Sequence, residues 1–340
     1  MPKRITLKHI ADTFGVSIAT VSKALSDSYE ISTSTKEKIV AYAREHNYKS
    51  KSIDLSLLSK KTKTIGVIIP NIMNSFFAKV FVGIEATANK HGYHLISCIS
   101  NESYEKEVKT IELLKSDTLD GIIISLAEET QMKQQYAHLK NAINEGVPMV
   151  MFDRVSDKID CDKVIVNDKV GAFEATEHLL KTGCKRIALV SVIDNLSVGK
   201  LRVEGYKNAL EKHNIPVEEK LIIRLGRFED FDTALKITLS DKTIDGLLCL
   251  EESAAINALR IVNHMKYRIP EEMSIACFTN GKILQHLTPS ISAISQHGKH
   301  IGETAASILI DRIEKDDQNK PNATKVVKTS FIERESTRKV

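Results

Sequence analysis

TLKHIADTFGVSIATVSKAL, Thr6 to Leu25, is the stretch from which the rest of the chain is read. Leu7, Ile10, Ala11 and Phe14 fall at helical spacing behind Thr6, a residue that caps helix starts. Gly15 then stands where a helix must turn through positive φ. Ser17 is the next cap, and Ile18, Val21, Ala24 and Leu25 line a second helix. Two helices that cross steeply need a small residue at closest approach, a permissive turn and an apolar lock; Ala11, Gly15 and Val21 supply them. This is the spacing of a DNA-reading helix-turn-helix, although an ordinary helical hairpin meets the same three requirements.

The neighbouring residues favour the DNA reading. Ser34 and Glu37 form an S-x-x-E capping box, which predicts a third helix through about His46 with Ile39, Val40, Tyr42 and Ala43 near one stripe. Residues 1–63 carry 12 Lys and Arg against 6 Asp and Glu, a net of +6, whereas the whole chain carries +4. The positive excess is thus gathered around the helical segment, as binding to phosphates requires.

From Ile5 to Tyr48 the chain resembles the DNA-binding headpiece of the lactose-repressor/galactose-repressor family, notably in TLKHIA, GVSIATVSKAL and TKEKI, and the resemblance continues to the end. It implies a headpiece over residues 1–49. Ile18 and Ala19 at the start of the second helix, and Lys23 one turn later, match positions that read bases in the family. Thr6, Leu7, Ser17, Thr20, Ser22 and Ser26 complete the expected DNA-binding set. Residues 50–63 read as a basic linker with an apolar patch at Ile53, Leu55, Leu57 and Leu58. In the family this segment becomes a hinge helix on DNA, and Leu57 matches the leucine that wedges into the minor groove. The chain departs from the family in lacking a proline after Tyr48 and in placing Asp54 where alanine is customary.

A chain of 340 residues, 42% hydrophobic and 27% charged, has ample material for a core and is long for one domain. One small and two larger units are expected. No apolar run follows Lys3 and Arg4, and longer apolar stretches are interrupted short of a membrane span, which predicts a cytoplasmic protein without membrane contact. Five scattered cysteines without C-x-x-C read as packing residues rather than metal ligands or a disulfide set.

Beyond Thr64 the pattern becomes strand, helix, strand, as buried parallel strands with crossover helices produce. TIGVIIP, YHLIS, DGIIIS and PMVMFD are separated by helical segments near 75–91, 104–116 and 130–144. The pattern restarts with RIALVSV, LIIRLG, DGLLCL and SIACFT, alternating with helices near 199–213, 230–240 and 254–266. The fold class is therefore α/β: an all-α helix-turn-helix headpiece followed by two doubly wound parallel-sheet lobes. Resemblance extends to periplasmic sugar-binding proteins, whose chain crosses between lobes three times, here near 155–161, 288–294 and 321–325. One lobe is then expected to hold residues 64–155 plus 294–321 and the other 161–288 plus 325–336, with the strand KVVKTSFI in the second.

Open parallel sheets bind ligands beyond the carboxyl ends of their strands, which puts a site between the lobes. Phe76 and Phe77 follow the first strand and suit stacking on a sugar or base ring, one of them being expected in the core. Asp153 closes its strand, where it either accepts ligand hydroxyls or serves as a helix cap or an interlobe partner for Arg154. Arg202 in RVEGY matches the family's R-x-x-G-[FY], whose arginine reaches into the cleft; a surface arginine is the plainer alternative. Phe228 in GRFE matches an aromatic that relatives place on the ligand. Asn280 and Glu252 match further ligand positions, with Thr279 and Glu252 standing where aspartates are usual and Asn167-Asp168 replacing an acidic pair.

The expected function is that of a homodimeric transcriptional regulator, a repressor of a palindromic operator, whose DNA affinity is altered by a carbohydrate effector. It requires no cofactor and no metal. A second reading keeps the DNA module but gives the large domain a protein partner. A third, an enzyme on a doubly wound scaffold, lacks a glycine-rich phosphate turn after the first strand, where Pro70-Asn71 stands.

Overall fold

The computed structural model describes residues 6–25, 28, 30–46, 62–115, 119–226, 230–315 and 321–339. Ser26, Asp54, Leu57 and Phe228, and with them the proposed hinge, lie outside the described residues. The chain divides into two compact units, Met1–Thr62 and Lys63–Val340.

In the first unit α1 (Leu7–Phe14), α2 (Ile18–Leu25) and α3 (Thr33–Glu45) close around Ile10, Ala11, Val21, Ala24, Ile39 and Ala43. The Phe14 and Tyr42 rings meet edge-on at 5.3 Å on the rim of this core. Gly15 ends α1 in the left-handed region, φ 61°, where its N–H bonds back to the Ala11 carbonyl. The third helix starts earlier than the Ser34/Glu37 box predicts. Ser32 is its cap, with the Thr35 amide donating to the Ser32 hydroxyl at 3.4 Å. The same Ser-x-x-Thr pair opens α2, since the Thr20 amide donates to Ser17 Oγ at 3.0 Å.

The second unit contains two six-stranded sheets. β1 (Thr64–Ile69), α4 (Ser75–Lys90), β2 (His94–Ile99), α5 (Tyr104–Leu114), β3 (Gly121–Ile124), α6 (Glu128–Lys133), α7 (Ala137–Asn144), β4 (Met149–Phe152) and β5 (Asp162–Val166) come first. There follow α8 (Asp168–Lys181), β6 (Ile187–Ser191), α9 (Ser197–Lys212), β7 (Ile222–Arg224), α10 (Phe231–Leu239), β8 (Gly246–Cys249) and α11 (Glu252–His264). The described elements end with β9 (Ser274–Phe278), β10 (Ser292–Ser295), α12 (Gly298–Lys315), β11 (Thr324–Val327) and β12 (Ser330–Ile332). Strand orders are β11-β5-β4-β3-β1-β2 and β12-β10-β9-β8-β6-β7, all parallel except the β10/β12 pair.

The central strands are buried on both faces, which is why they read as continuous apolar runs, whereas the edge strands β2 and β11 are largely exposed. Along β1 the pleat sends Val67 and Ile69 to one core with Val150 and Phe152, and Ile68 to another with Ile122, Ile124 and Met151. All five cysteines are free thiols and four are buried, so they serve as packing residues.

Sheet membership moves each expected crossing by about one strand. β5 pairs with β4 in the first sheet, so the first crossing follows Val166 rather than falling near 155–161. β10 stays in the second sheet, and the chain returns only after Ser295. KVVKTSFI is divided, β11 closing the first sheet on β5 and β12 pairing with β10 in the second. Periodicity identifies a strand but not its partner, because ladder bonds join residues distant in sequence. The segment 130–144, expected as one helix, is broken by Gln134 at φ 51° into α6 and α7.

Each lobe is drawn together by a helix pair whose backbones touch through glycine. A Cβ on Gly302 of α12 would lie 2.0 Å from the Val80 carbonyl of α4, and one on Gly83 would lie 2.0 Å from the Lys299 carbonyl. In the second lobe Gly205 of α9 faces the Lys169 carbonyl of α8 in the same way, at 2.1 Å. Backbone atoms cannot yield as a flexible side chain can. Gly302→Ala is therefore expected to destabilise the second unit by about 1–3 kcal/mol, the range of overpacked cores, seen as a lowered urea midpoint with unchanged slope.

Candidate DNA interface and effector cleft

The N-terminal end of α2 is the outward part of the helical unit. Ile18 is 48% exposed despite its apolar side chain, and Ala19 beside it is exposed as well. Ser17 and Thr20 share a hydroxyl contact of 2.9 Å that fixes this first turn. Lys23, half-buried one turn on, forms an ion pair with Glu30. Thr6 caps α1 by accepting from the His9 amide at 3.2 Å, while Leu7 packs partly against the small core. An exposed helix end fixed by its cap has the shape that enters a major groove.

In the second unit the carboxyl ends of β1, β4, β6, β8 and β9 converge on a narrow cleft. Phe76 and Phe77 from α4, Asp153 after β4, Arg202 from α9 and Thr279 after β9 border it. Asn74 caps α4, accepting from the Phe76 amide at 2.9 Å, and so fixes where both rings point. Both rings join the core: Phe77 packs against Phe152 at 6.2 Å, and Phe76, edge-on to Phe77 and itself buried, borders the cleft.

Arg202 is 3% exposed and anchored in the floor. Its Nε donates to Asp168 at 2.7 Å, its Nη1 donates to the Leu250 carbonyl at 2.8 Å, and its guanidinium lies 3.8 Å from the Phe278 ring centre. Asp168, the first residue of α8, is pushed up to about 6, chiefly by burial; the Arg202 charge pulls the other way and Asp153 adds to the rise. Asp153 sits at φ 57° and is also raised by burial, offset in part by Arg202 and Arg154. One of its carboxylate oxygens is buried without a hydrogen-bond partner. Arg154 does not pair with it, donating instead to Glu102 at 2.6 Å.

Among the described residues, the lobes are clasped across the cleft by the following contacts. Gln131 of α6 donates to the Ser197 hydroxyl at 2.9 Å and accepts from the Ser197 amide at 3.2 Å. The Ser75 hydroxyl binds Glu252, and the Lys79 ammonium binds the Asn280 carbonyl. Glu252 is thereby committed to the clasp, and Glu251 borders the cavity in its place. The Asn280 side chain accepts from Arg334 at 2.5 Å, and the residue lines an adjoining chamber rather than the cleft floor. So closed, the central cavity holds about 50 Å³. That is far below the roughly 300–1,000 Å³ of small-molecule sites.

Residues 6–51 match the model of bacterial regulatory proteins of the lacI family, and residues 176–337 match a periplasmic binding protein-like domain. The ribose operon repressor of Halalkalibacterium halodurans is 31% identical over 342 residues, covering 98% of this chain and 97% of its own. The chain belongs to the lacI family of bacterial regulatory proteins.

As a member of that family it is a sequence-specific DNA-binding transcriptional regulator whose DNA binding responds to a small-molecule effector. Among solved structures it is similar to a LacI family transcriptional regulator from Enterococcus faecium with bound ribose, 26% identical, at a TM-score of 0.70 over 82% of this chain and 99% of that one. The lac repressor dimer bound to operator and the anti-inducer ONPF shares its fold, with a TM-score of 0.80 over 99% of this chain and 100% of that one at 21% identity.

In this lacI-family regulator the structure brings Phe76, Phe77, Asp153 and Arg202 to one cavity and sets Glu252 and Asn280 at its edge. Sequence reading missed the Gln131–Ser197 clasp and the Thr279 hydroxyl that donates to Gln296 at 2.9 Å, because neither pair carries a local pattern. Asp168 was legible only as a departure from the family, yet it is the acid on which Arg202 depends.

Removing Arg202 strands a buried acid. Arg202→Ala is expected to cost about 3–5 kcal/mol of stability at pH 7.5, as lost partners of buried pairs do. A carboxyl whose folded pKa is raised above its unfolded value binds more protons when folded, so its contribution is fully present below about pH 4. In the wild type that contribution is lost as pH rises through about 6. The penalty of Arg202→Ala should therefore shrink at pH 5, and Asp168→Asn in the same background should recover part of it at pH 7.5. Urea unfolding at both pH values reads this directly.

Proposed function

We propose that the chain is a homodimeric repressor of a palindromic operator, acting in the cytoplasm, whose grip on DNA is set by a sugar-class ligand between the lobes. The observation that carries the DNA assignment is the exposed, capped first turn of α2, which presents Ile18 and Ala19 in the basic part of the chain. Ile18, Ala19 and Lys23 contact base edges, while Thr6, Ser17, Thr20 and Ser22 hold phosphate and Leu7 supports the helix. One such helix reads too few bases for genomic selectivity, whereas two related by a twofold axis read half-sites about one turn apart.

Support for the second copy comes from the first lobe. β2 is an edge strand on which Ile96 and Ile99 are 41% and 39% exposed, and Val82 of the adjacent α4 is 54% exposed. An apolar edge of this kind is a pairing surface unless something covers it. Support for a sugar comes from the unpartnered Asp153 oxygen, which wants a hydroxyl donor, and from the Phe76 ring beside it. The ribose bound to the similar Enterococcus faecium regulator, and the ribose operon named for the Halalkalibacterium halodurans relative, agree with that chemistry.

A ligand too large for 50 Å³ must part the Gln131–Ser197 and Ser75–Glu252 clasps to enter. It binds the opened lobes better than the closed ones and shifts the population between them. Operator affinity follows that shift.

Ala19→Asp is expected to abolish specific operator binding with folding intact, since a carboxylate would then face the DNA. Lys23→Ala should weaken it by about tenfold, within the span of one base contact. Glu30→Gln, which releases Lys23 from its ion pair, should tighten it. A fluorescence titration against operator at one fixed physiological salt concentration distinguishes these, and unchanged affinity in Ala19→Asp removes α2 from the interface.

A further inference from the structure

Beside the closed cleft lies a second chamber of about 460 Å³. That volume falls within the roughly 300–1,000 Å³ of small-molecule sites, as the cleft itself does not. The two spaces share Phe76, Thr279 and Gln296 and so lie side by side.

The chamber differs from the cleft in its charge. Lys79 from α4 and Lys299 from α12 line it, together with the imidazoles of His297 and His300. Among the described residues its lining carboxylate is Glu303, 3.7 Å from the Lys299 ammonium and 3.6 Å from His300. Around Lys79 the nearby charges of Glu252 and Arg334 oppose each other. Lys79 gives one N–H to the Asn280 carbonyl and has two more to give. Helical geometry also leaves the amides of Gly298, Lys299 and His300 without an acceptor in α12 itself, adding the positive end of an 18-residue helix. Gly298 keeps that turn close to α4, since a Cβ there would lie 3.2 Å from the Phe76 carbonyl.

We propose that this chamber is an oxyanion subsite, which takes a phosphate group carried by a ligand whose sugar ring sits in the cleft. The inference rests on the reading of the cleft as a sugar site and names the class of sugar: a phosphate monoester. Lys79 and Lys299 hold the phosphate oxygens, the first turn of α12 adds amide donors, and the incoming charge displaces Glu303 from Lys299. Burial holds the Lys79 ammonium below its usual range, and a bound anion reverses that direction.

The test uses the full chain and calorimetric titration with ribose, glucose, their 5- and 6-phosphates, and inorganic phosphate. At least one phosphate ester should bind about tenfold or more tightly than its parent sugar, the worth of one or two charge-assisted hydrogen bonds. In Lys79→Gln/Lys299→Gln that gap should fall to within about twofold. Glu303→Gln, which removes the competing carboxylate, should tighten the ester several-fold and keeps the test open if the double variant does not fold. Free sugars binding as tightly as their esters overturn the subsite and leave the sugar cleft standing. Lysine-dependent binding of inorganic phosphate and of every ester alike, with no preference for a sugar, supports the subsite and removes the sugar reading. Ester binding that survives the lysine substitutions, or no binding of any phosphate compound, overturns the proposal.

Discussion

The buried guanidinium of Arg202 is the constraint around which the effector domain is arranged. A charge placed 3% exposed between sheet and helix is tolerable only if every donor finds an acceptor and the charge finds a partner. Asp168 supplies the partner, the Leu250 carbonyl an acceptor, and the Phe278 ring a polarizable face. Those groups come from α8, the end of β8 and the end of β9, so one side chain fixes the relative placement of three elements. It also sets the potential felt by Asp153 across the cleft, one of whose buried oxygens has no hydrogen-bond partner.

The lobes that surround this pair are rigid for a different reason. Gly302 and Gly83 let α4 and α12 touch backbone to backbone, and Gly205 does the same for α8 and α9. Backbone contact of this kind leaves little room for slip within a lobe, whereas the lobes meet each other through the interlobe clasps. Those clasps are few and polar: Gln131 with Ser197, Ser75 with Glu252, Lys79 with Asn280. Hydrogen bonds of this type contribute about 0.5–1.5 kcal/mol each, and more where a group is charged. The sum is small enough for a ligand to overcome, which is what a population shift between closed and open lobes demands.

Much of the architecture was legible in the chain because it depends on local pattern. Thr6, Gly15 and Ser17 punctuate the headpiece helices as written, and β-branched runs such as Thr64–Ile69 are strands buried on both faces. The α3 start slipped because Ser32 and Ser34 are equally good caps by type, and the choice between them is made by the hydroxyl geometry of Thr35. Arg202 was legible from its motif as an arginine directed to the cleft, but its burial and its acid were not, since Asp168 lies 34 residues away on a helix the pattern did not reveal.

By itself the sequence determined the kind of protein this is: the helical spacing of the headpiece, the concentration of basic charge around it, the strand-helix alternation, and the motifs shared with lacI-family regulators. These are properties of neighbours in the chain, where propensity, capping and periodicity act. Only the tertiary structure decided which sheet β5, β10, β11 and β12 join, that Glu252 clasps the lobes while Glu251 borders the cavity, and that a cationic chamber opens beside a nearly closed cleft. Each of those depends on contacts between residues far apart in sequence. Burial and hydrogen-bond geometry select among pairings that local pattern leaves equivalent.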